Sequence, residues 1–310
     1  MNLFLLSTGI IILLLSGDFL VRAAVVLSTR LSVQPLIIGL TVVAFGTSAP
    51  ELIVAIQATL NELGTLALGN IIGSNIANAF LVLGFPALIT SIQSNDRNIR
   101  ANYFFMLGST ILFIIVVIMG DLYFWNGTIL LLLNIYFVFW VIKIAKSNNT
   151  SHEVSDFNGM EQDLKVWKLI IYFVIGVAGL PLGANILIMG ATGLAVDFGI
   201  SNELIGLSIV AIGTSLPELA TSISSAFRKQ AGLLLGNVIG SNMFNLLGVA
   251  GSAALFGKLN MEPELKSISL LVLFFSAIIL LPFILNYIRL NRIFGFSFLV
   301  IYVAYLSLVF

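Results

Sequence analysis

GLTVVAFGTSAPEL, residues 39–52, recurs in the same chain as GLSIVAIGTSLPEL, residues 206–219. The offset of 167 residues holds without gaps from 36–84 against 203–251, where 23 of 49 positions are identical. Shared apolar composition alone would give roughly a tenth. A second motif lies inside each segment, GNIIGSNIAN at 69–78 and GNVIGSNMFN at 236–245. Two unrelated apolar stretches do not match at this level, so the chain is a duplication.

The duplicated unit is built for a bilayer. Of 310 residues, 59% are hydrophobic and 9% charged, against about 25% charged in ordinary soluble domains. No soluble interior accommodates that much apolar surface, so lipid serves as part of the solvent. The formal charge is zero, which gives no reason to expect a nucleic-acid partner. There is no cysteine, which removes disulfides, thiolate metal sites and cysteine nucleophiles together. The one histidine, His152, falls in a polar loop, so imidazole chemistry within the membrane is excluded.

Outward from the repeats, a spanning helix needs roughly 20 mainly apolar residues. Ten such stretches are expected, at 3–27, 36–60, 65–91, 101–120, 124–142, 167–195, 203–227, 232–256, 267–285 and 294–310. The first has no basic leader and continues past Gly17 and Asp18, which reads as a span rather than a cleaved signal. The expectation is an all-α membrane protein with a first five-helix repeat at 1–142, a cytoplasmic linker at 143–166 and a second five-helix repeat at 167–310. The N-x-S/T patterns at Asn148 and Asn149 carry no meaning if that linker is cytoplasmic.

Basic residues orient the chain. With ten spans, one side collects Arg30, Arg97, Arg100, Lys143, Lys146, Lys165, Lys168, Arg228, Lys229, Arg289 and Arg292, and the other only Lys258 and Lys266. The rich side is cytoplasmic and both termini lie outside. Five spans per half is an odd number, so the halves are expected upside down to one another. Inverted repeats typify secondary transporters, with the substrate near the midplane where the repeats meet.

Glu51 and Glu218 are the informative pair, each inside an apolar span. An ionisable group there costs about 2.5–3.5 kcal/mol or more and marks a pathway or site. Neither segment has a Lys or Arg near its glutamate to form a buried ion pair. Pro50 has no N–H and clashes with the carbonyl of Gly46, so the helix should break and free carbonyls of Ala44, Gly46 or Thr47. Pro217 and Gly213 repeat the arrangement. Hydroxyls flank both breaks, at Thr47 and Ser48 and at Thr214 and Ser215.

Ser74 and Asn78 share a helical face, as do Ser241 and Asn245, and add neutral oxygens. The glycines at 69, 73, 236 and 240 read as close-packing positions. Asn70, Asn75, Asn237 and Asn242 read as structural polar residues rather than ligands. The candidate donor set is oxygen-only, which suits hard cations and calcium in particular. Softer metals would prefer His, Cys or Met, absent from the motifs except for Met243. Two carboxylates match one calcium ion or two sodium ions, and competition for one site is the physical basis of exchange.

GTSAPEL and GTSLPEL, each followed by a GNxxGSNxxN segment, resemble the alpha-repeats of the cation/calcium exchanger superfamily. The prokaryotic sodium/calcium exchanger branch is the most similar; proton-coupled relatives usually carry a GNAxE-like core. The resemblance implies the sodium/calcium exchanger fold and a calcium/sodium antiporter of the plasma (inner) membrane. It implies no cofactor and no obligate protein partner, only the bilayer and the transported Ca2+ and Na+. Glu51 and Glu218 would be calcium ligands, joined by carbonyls and hydroxyls of Thr47, Ser48, Thr214 and Ser215. Ala44 and Ala211 carbonyls would serve sodium, and Ser74, Asn78, Ser241 and Asn245 would complete the sites. It also implies that the first and sixth helices slide against the other eight, with Gly9, Gly17, Gly176, Gly179 and Gly183 giving a smooth surface.

Asn245 departs from members that carry aspartate there, which weakens any case for potassium co-transport. Asp18 and Arg22, four apart, read as a local ion pair. Proton/calcium antiport, using protonation of Glu51 or Glu218, is the alternative reading. An intramembrane hydrolase is disfavoured because neither glutamate motif pairs a nucleophile with a base, and a channel is separated by saturable counter-transport.

Overall fold

A computed structural model describes residues 1–93, 97–147, 164–198, 212–261 and 263–309. Every regular element among them is helical. In chain order these are α1 (Asn2–Arg30), α2 (Pro35–Thr47), α3 (Ala49–Leu60), α4 (Gly64–Ile89), α5 (Arg97–Met119) and α6 (Phe124–Ser147). The second half supplies α7 (Val166–Asp197), α8 (Leu216–Phe227), α9 (Ala231–Ala254), α10 (Pro263–Ile278), α11 (Leu281–Ile284) and α12 (Arg292–Val309).

Seven helices are long and apolar enough to cross a membrane, and α2 with α3 makes an eighth as one span bent by 43°. The expected ten are not all reached among the described residues. The apolar part of α12 is short, and the stretch expected to begin the seventh span at 203 lies outside the described residues up to 211. The ninth expected span is one of the seven, Lys266–Ile284, formed by α10 and α11 together with Pro282 near the start of α11. Residues 148–163 of the expected linker, including His152, also lie outside the described residues.

The duplication is visible as reciprocal geometry at the same offset. The last turn of α3 closes with Glu62 at φ 62° and the Leu63 amide on the Ala58 carbonyl. That of α8 closes with Lys229 at φ 55° and the Gln230 amide on the Ser225 carbonyl. Both are left-handed helix stops that satisfy terminal carbonyls. Wide helical turns fall at Asn78–Val82 in α4 and Phe244–Val249 in α9. Two isolated backbone bridges cross between the halves, Ile92 with Leu290 and Leu122 with Leu259, and each is nearly the mirror of the other in repeat numbering. Contacts paired in this way are those a two-fold relation between the halves would produce.

Packing divides into two bodies. The larger core runs through α4, α5, α6, α9, α10 and α12, with Tyr103, Phe113, Phe137 and Phe298 fully buried. A smaller cluster joins α1 to α7 around Leu13, Leu20, Leu180 and Ala184 and touches α2 and α8 through Val43 and Ala220. The α1–α7 pair is antiparallel and closely approached. A Cβ on Gly176 would stand 2.9 Å from Leu20 Cα, and one on Gly183 would stand 2.8 Å from the Leu13 amide. Gly9 and Gly179 likewise face the partner helix of this pair. Gly17 alone of the five expected glycines faces α8, 2.9 Å from the Ala220 carbonyl, so most of them join α1 to α7 rather than separate the pair from the rest.

Candidate cation site

The helix break falls where the prolines demand it. Ser48 and Ser215 sit between helical segments with nearly identical backbone angles, φ −87°, ψ 5° and φ −84°, ψ 0°. Each is followed by a proline in the first turn of the next helix, where a missing N–H costs nothing. Glu51 and Glu218 therefore occupy the first turns of α3 and α8, where the positive end of the helix dipole favours a carboxylate.

The pattern S-x-x-E at a helix start ordinarily closes a capping box. Here neither serine caps its own helix. Ser48 Oγ instead donates to Glu218 Oε1 of the other half at 2.9 Å. Ser215 Oγ and both carboxylate oxygens of Glu51 are buried with no hydrogen-bond partner among the described residues. Glu51 and Glu218 are 1% and 0% exposed. The ion pairs at Asp18 and Asp121 involve neither glutamate.

Around this pair the second motif closes in from both halves. Thr47 Oγ1 lies 3.4 Å from Asn237 Oδ1 and 3.4 Å from Ser241 Oγ. The repeat-related contact is Thr214 Oγ1 to Asn70 Oδ1 at 3.2 Å. Asn78 Nδ2 donates to Asn242 Oδ1 at 3.0 Å. Ser74, Asn78, Ser241 and Asn245 are all buried. Close passage of α9 over α2 makes this possible, because a Cβ on Gly240 would stand 2.8 Å from both Leu40 Cα and Ala44 Cβ.

Eleven of the twelve residues expected at the site are thus described, ten of them are buried polar groups, and Ala211 lies outside the described residues. Ala44 differs from expectation. Its carbonyl is not freed by the break but accepts the Ser48 amide at 3.0 Å and sits 3.3 Å from Thr47 Oγ1. The N–H missing at Pro50 would have met the Gly46 carbonyl, two residues beyond Ala44 and another of the three carbonyls expected to be freed.

Asn70, Asn237 and Asn242, which the sequence reading gave structural roles, contact expected site residues, and Thr221, which it did not single out, joins them. Asn237 and Asn242 bond to expected site residues, and Thr221 accepts from Asn237 Nδ2 at 3.1 Å. Their signal was the duplication of Asn70 and Asn237 within matching motifs. Asp18 does pair with Arg22 at 2.9 Å, but also with Arg228 at 2.7 Å, which ties α1 to the end of α8.

No group of three or more His, Cys, Asp or Glu gathers among the described residues. Two carboxylates with neutral oxygens around them make a hard-ion environment. An apolar cavity of about 570 Å³, lined by Phe45, Phe173, Val177 and Phe244, reaches Ala44 and Gly46, and neither glutamate lines it.

Known proteins carry the same architecture. The family described as "Sodium/calcium exchanger protein" matches residues 1–143 and 168–310. The uncharacterized membrane protein MJ0091 of Methanocaldococcus jannaschii is 35% identical over 298 residues, covering 95% of this chain and 93% of that protein. The sodium/calcium exchanger MaX1 of Methanosarcina acetivorans is 29% identical, covering 100% of this chain and 98% of its own. A solved structure of the sodium-calcium exchanger NCX_Mj, soaked with Na+ and Sr2+, superposes with TM-score 0.85 at 31% identity, covering 99% of this chain and 97% of that one. The apolar helices and these likenesses make the chain an integral membrane protein with the exchanger fold. It belongs to the sodium/calcium exchanger protein family.

Proposed function

We propose that this protein exchanges Ca2+ for Na+ across the membrane by alternating access, with Glu51 and Glu218 as the shared cation ligands. One observation carries the reading. Seven oxygens of the expected ligand set are buried without a hydrogen-bond partner among the described residues: both of Glu51, Glu218 Oε2, Ser74 Oγ, Ser215 Oγ, Asn78 Oδ1 and Asn245 Oδ1. More than about nine in ten buried polar groups in native proteins are satisfied. A cluster of acceptors with unmet capacity, drawn from both halves, is accounted for by a cation that takes six to eight oxygens.

The chemistry follows from charge. Two carboxylates without a nearby base leave −2 to be neutralised, by one Ca2+ or by two Na+ with a third sharing neutral oxygens. Because both ions need the same oxygens, neither is bound well while the other occupies them. The proposed framework is ten spans as two inverted five-helix repeats, 1–142 and 167–310, joined by a cytoplasmic linker at 143–166. Both termini would lie outside an inner membrane, in agreement with the placement of Lys and Arg. The names of MaX1 and NCX_Mj support sodium as the coupling ion.

Reconstituted vesicles test this directly. Calcium uptake driven by an outward sodium gradient and indifferent to a pH gradient is expected. Uptake that follows the pH gradient and ignores sodium would replace the proposal with proton/calcium antiport.

A further inference from the structure

We infer that Asn237 is a positioning residue for the cation site, and that Thr221 fixes its orientation. This rests on the proposed cation site and specifies how one of its hydroxyls is aimed. A hydroxyl group has one proton and two lone pairs. To ligate a cation it must send the proton away from the ion. Thr47 Oγ1 has two carbonyl acceptors within reach, Asn237 Oδ1 at 3.4 Å and Ala44 O at 3.3 Å, besides the Ser241 hydroxyl at 3.4 Å, which can donate to it instead. Either carbonyl draws the proton off, and Asn237 does so from the opposite half of the molecule.

An amide helps only if its oxygen, not its nitrogen, faces the threonine. A chain of directed bonds settles this for Asn237. Thr221 Oγ1 lies 3.0 Å from the Pro217 carbonyl and 2.9 Å from the Glu218 carbonyl, and its proton goes to one of them. Its lone pairs then accept Asn237 Nδ2 at 3.1 Å. With the nitrogen committed, Asn237 Oδ1 must face Thr47. Thr47, Thr221 and Asn237 are at most 1% exposed, so water does not compete.

The other half lacks the lock. Thr214 donates to Asn70 Oδ1 at 3.2 Å, but Asn70 Nδ2 has no partner among the described residues. The position that corresponds to Thr221 is Val54, which has no hydroxyl. The reciprocal contact is therefore present on both sides while its orienting partner exists on one. General adhesion between repeats would not require that hydroxyl.

The test uses the purified full chain, titrated with CaCl2 in sodium-free buffer by calorimetry, with melting temperature measured in parallel. Thr221→Val removes the lock at constant size and should weaken Ca2+ binding by about 2- to 10-fold, the range for one hydrogen bond. Thr221→Ser retains the hydroxyl and should bind as wild type does. Asn237→Leu should weaken binding at least as much as Thr221→Val.

If Thr221→Val lowers the melting temperature but keeps wild-type affinity, Asn237 is structural only and the inference is overturned. Equal weakening by Thr221→Ser and Thr221→Val also overturns it. A wild-type chain that binds Na+ but not Ca2+ refutes the proposed exchange instead, and the same variants read against NaCl then decide the positioning claim. A wild-type chain that binds neither ion removes the site and this inference with it.

Discussion

Replacing Glu51 by glutamine should make the resting protein more stable and deprive it of its cation. Both carboxylate oxygens of Glu51 are buried with no hydrogen-bond partner among the described residues, and Glu218 is buried as completely. An uncompensated buried charge costs several kcal/mol even after the surroundings relax. Glutamine keeps the size and removes the charge, so in a chelator Glu51→Gln should gain about 1–3 kcal/mol, seen as a rise of a few degrees in melting temperature. Calcium reverses the order. At 100 times its dissociation constant a ligand adds about 2.7 kcal/mol to a protein that binds it. Wild type should gain that increment and the variant should not. A thermal melt in chelator and in graded Ca2+ reads both effects. The reasoning fails if the variant gains as much from Ca2+ as wild type, or if it melts lower in chelator, since a loss there would mean that Glu51 has a structural partner.

Other substitutions probe the neighbouring features. Ser48→Ala removes the 2.9 Å bond to Glu218 and leaves one more buried acceptor unpaired, which should cost about 1–3 kcal/mol in the melt and weaken Ca2+ binding. Gly240→Ala places a Cβ 2.6 Å from the Leu40 carbonyl oxygen and must push α9 off α2, at about 1–3 kcal/mol and with loss of exchange in vesicles. Gly232→Ala, whose Cβ would meet Leu36 at 3.7 Å, serves as a control and should be neutral or slightly stabilising. Arg228→Gln breaks a partly exposed bond to Asp18 and should lower stability by only ~0.5 kcal/mol, a difference that shrinks when the melt is repeated at high salt.

Much of the architecture was legible because the constraints are local and repeated. Apolar length marks spans, and Pro50 and Pro217 cannot continue a helix, so the breaks beside Glu51 and Glu218 follow from residue chemistry. The duplicated motifs marked Glu51, Glu218 and the hydroxyls beside them as candidates, and the sodium role of the Ala44 and Ala211 carbonyls came only from the resemblance. What the sequence withheld depends on contacts between the halves. The S-x-x-E pattern does not say whether Ser48 caps its own helix or crosses to Glu218. Asn237 looks like packing until Thr221 is seen beside it, one turn beyond Glu218. Asp18 reads as the local partner of Arg22, and its bond to Arg228 spans 210 positions, beyond the reach of any helical periodicity. The Ala44 carbonyl keeps the Ser48 amide, whereas the N–H missing at Pro50 would have met Gly46, two residues on and one of the three carbonyls the proline rule offered.

The central claim is that one divalent ion is held jointly by Glu51 and Glu218, and locating that ion tests it most directly. In a crystal soaked with Sr2+ in the absence of Na+, the account predicts a single strong anomalous peak within coordination range, roughly 2.3–2.7 Å, of carboxylate oxygens from both residues. It predicts that the peak fades as Na+ is added. A peak bound to one glutamate alone, one located elsewhere in the membrane-spanning helices, or one insensitive to Na+ would contradict it.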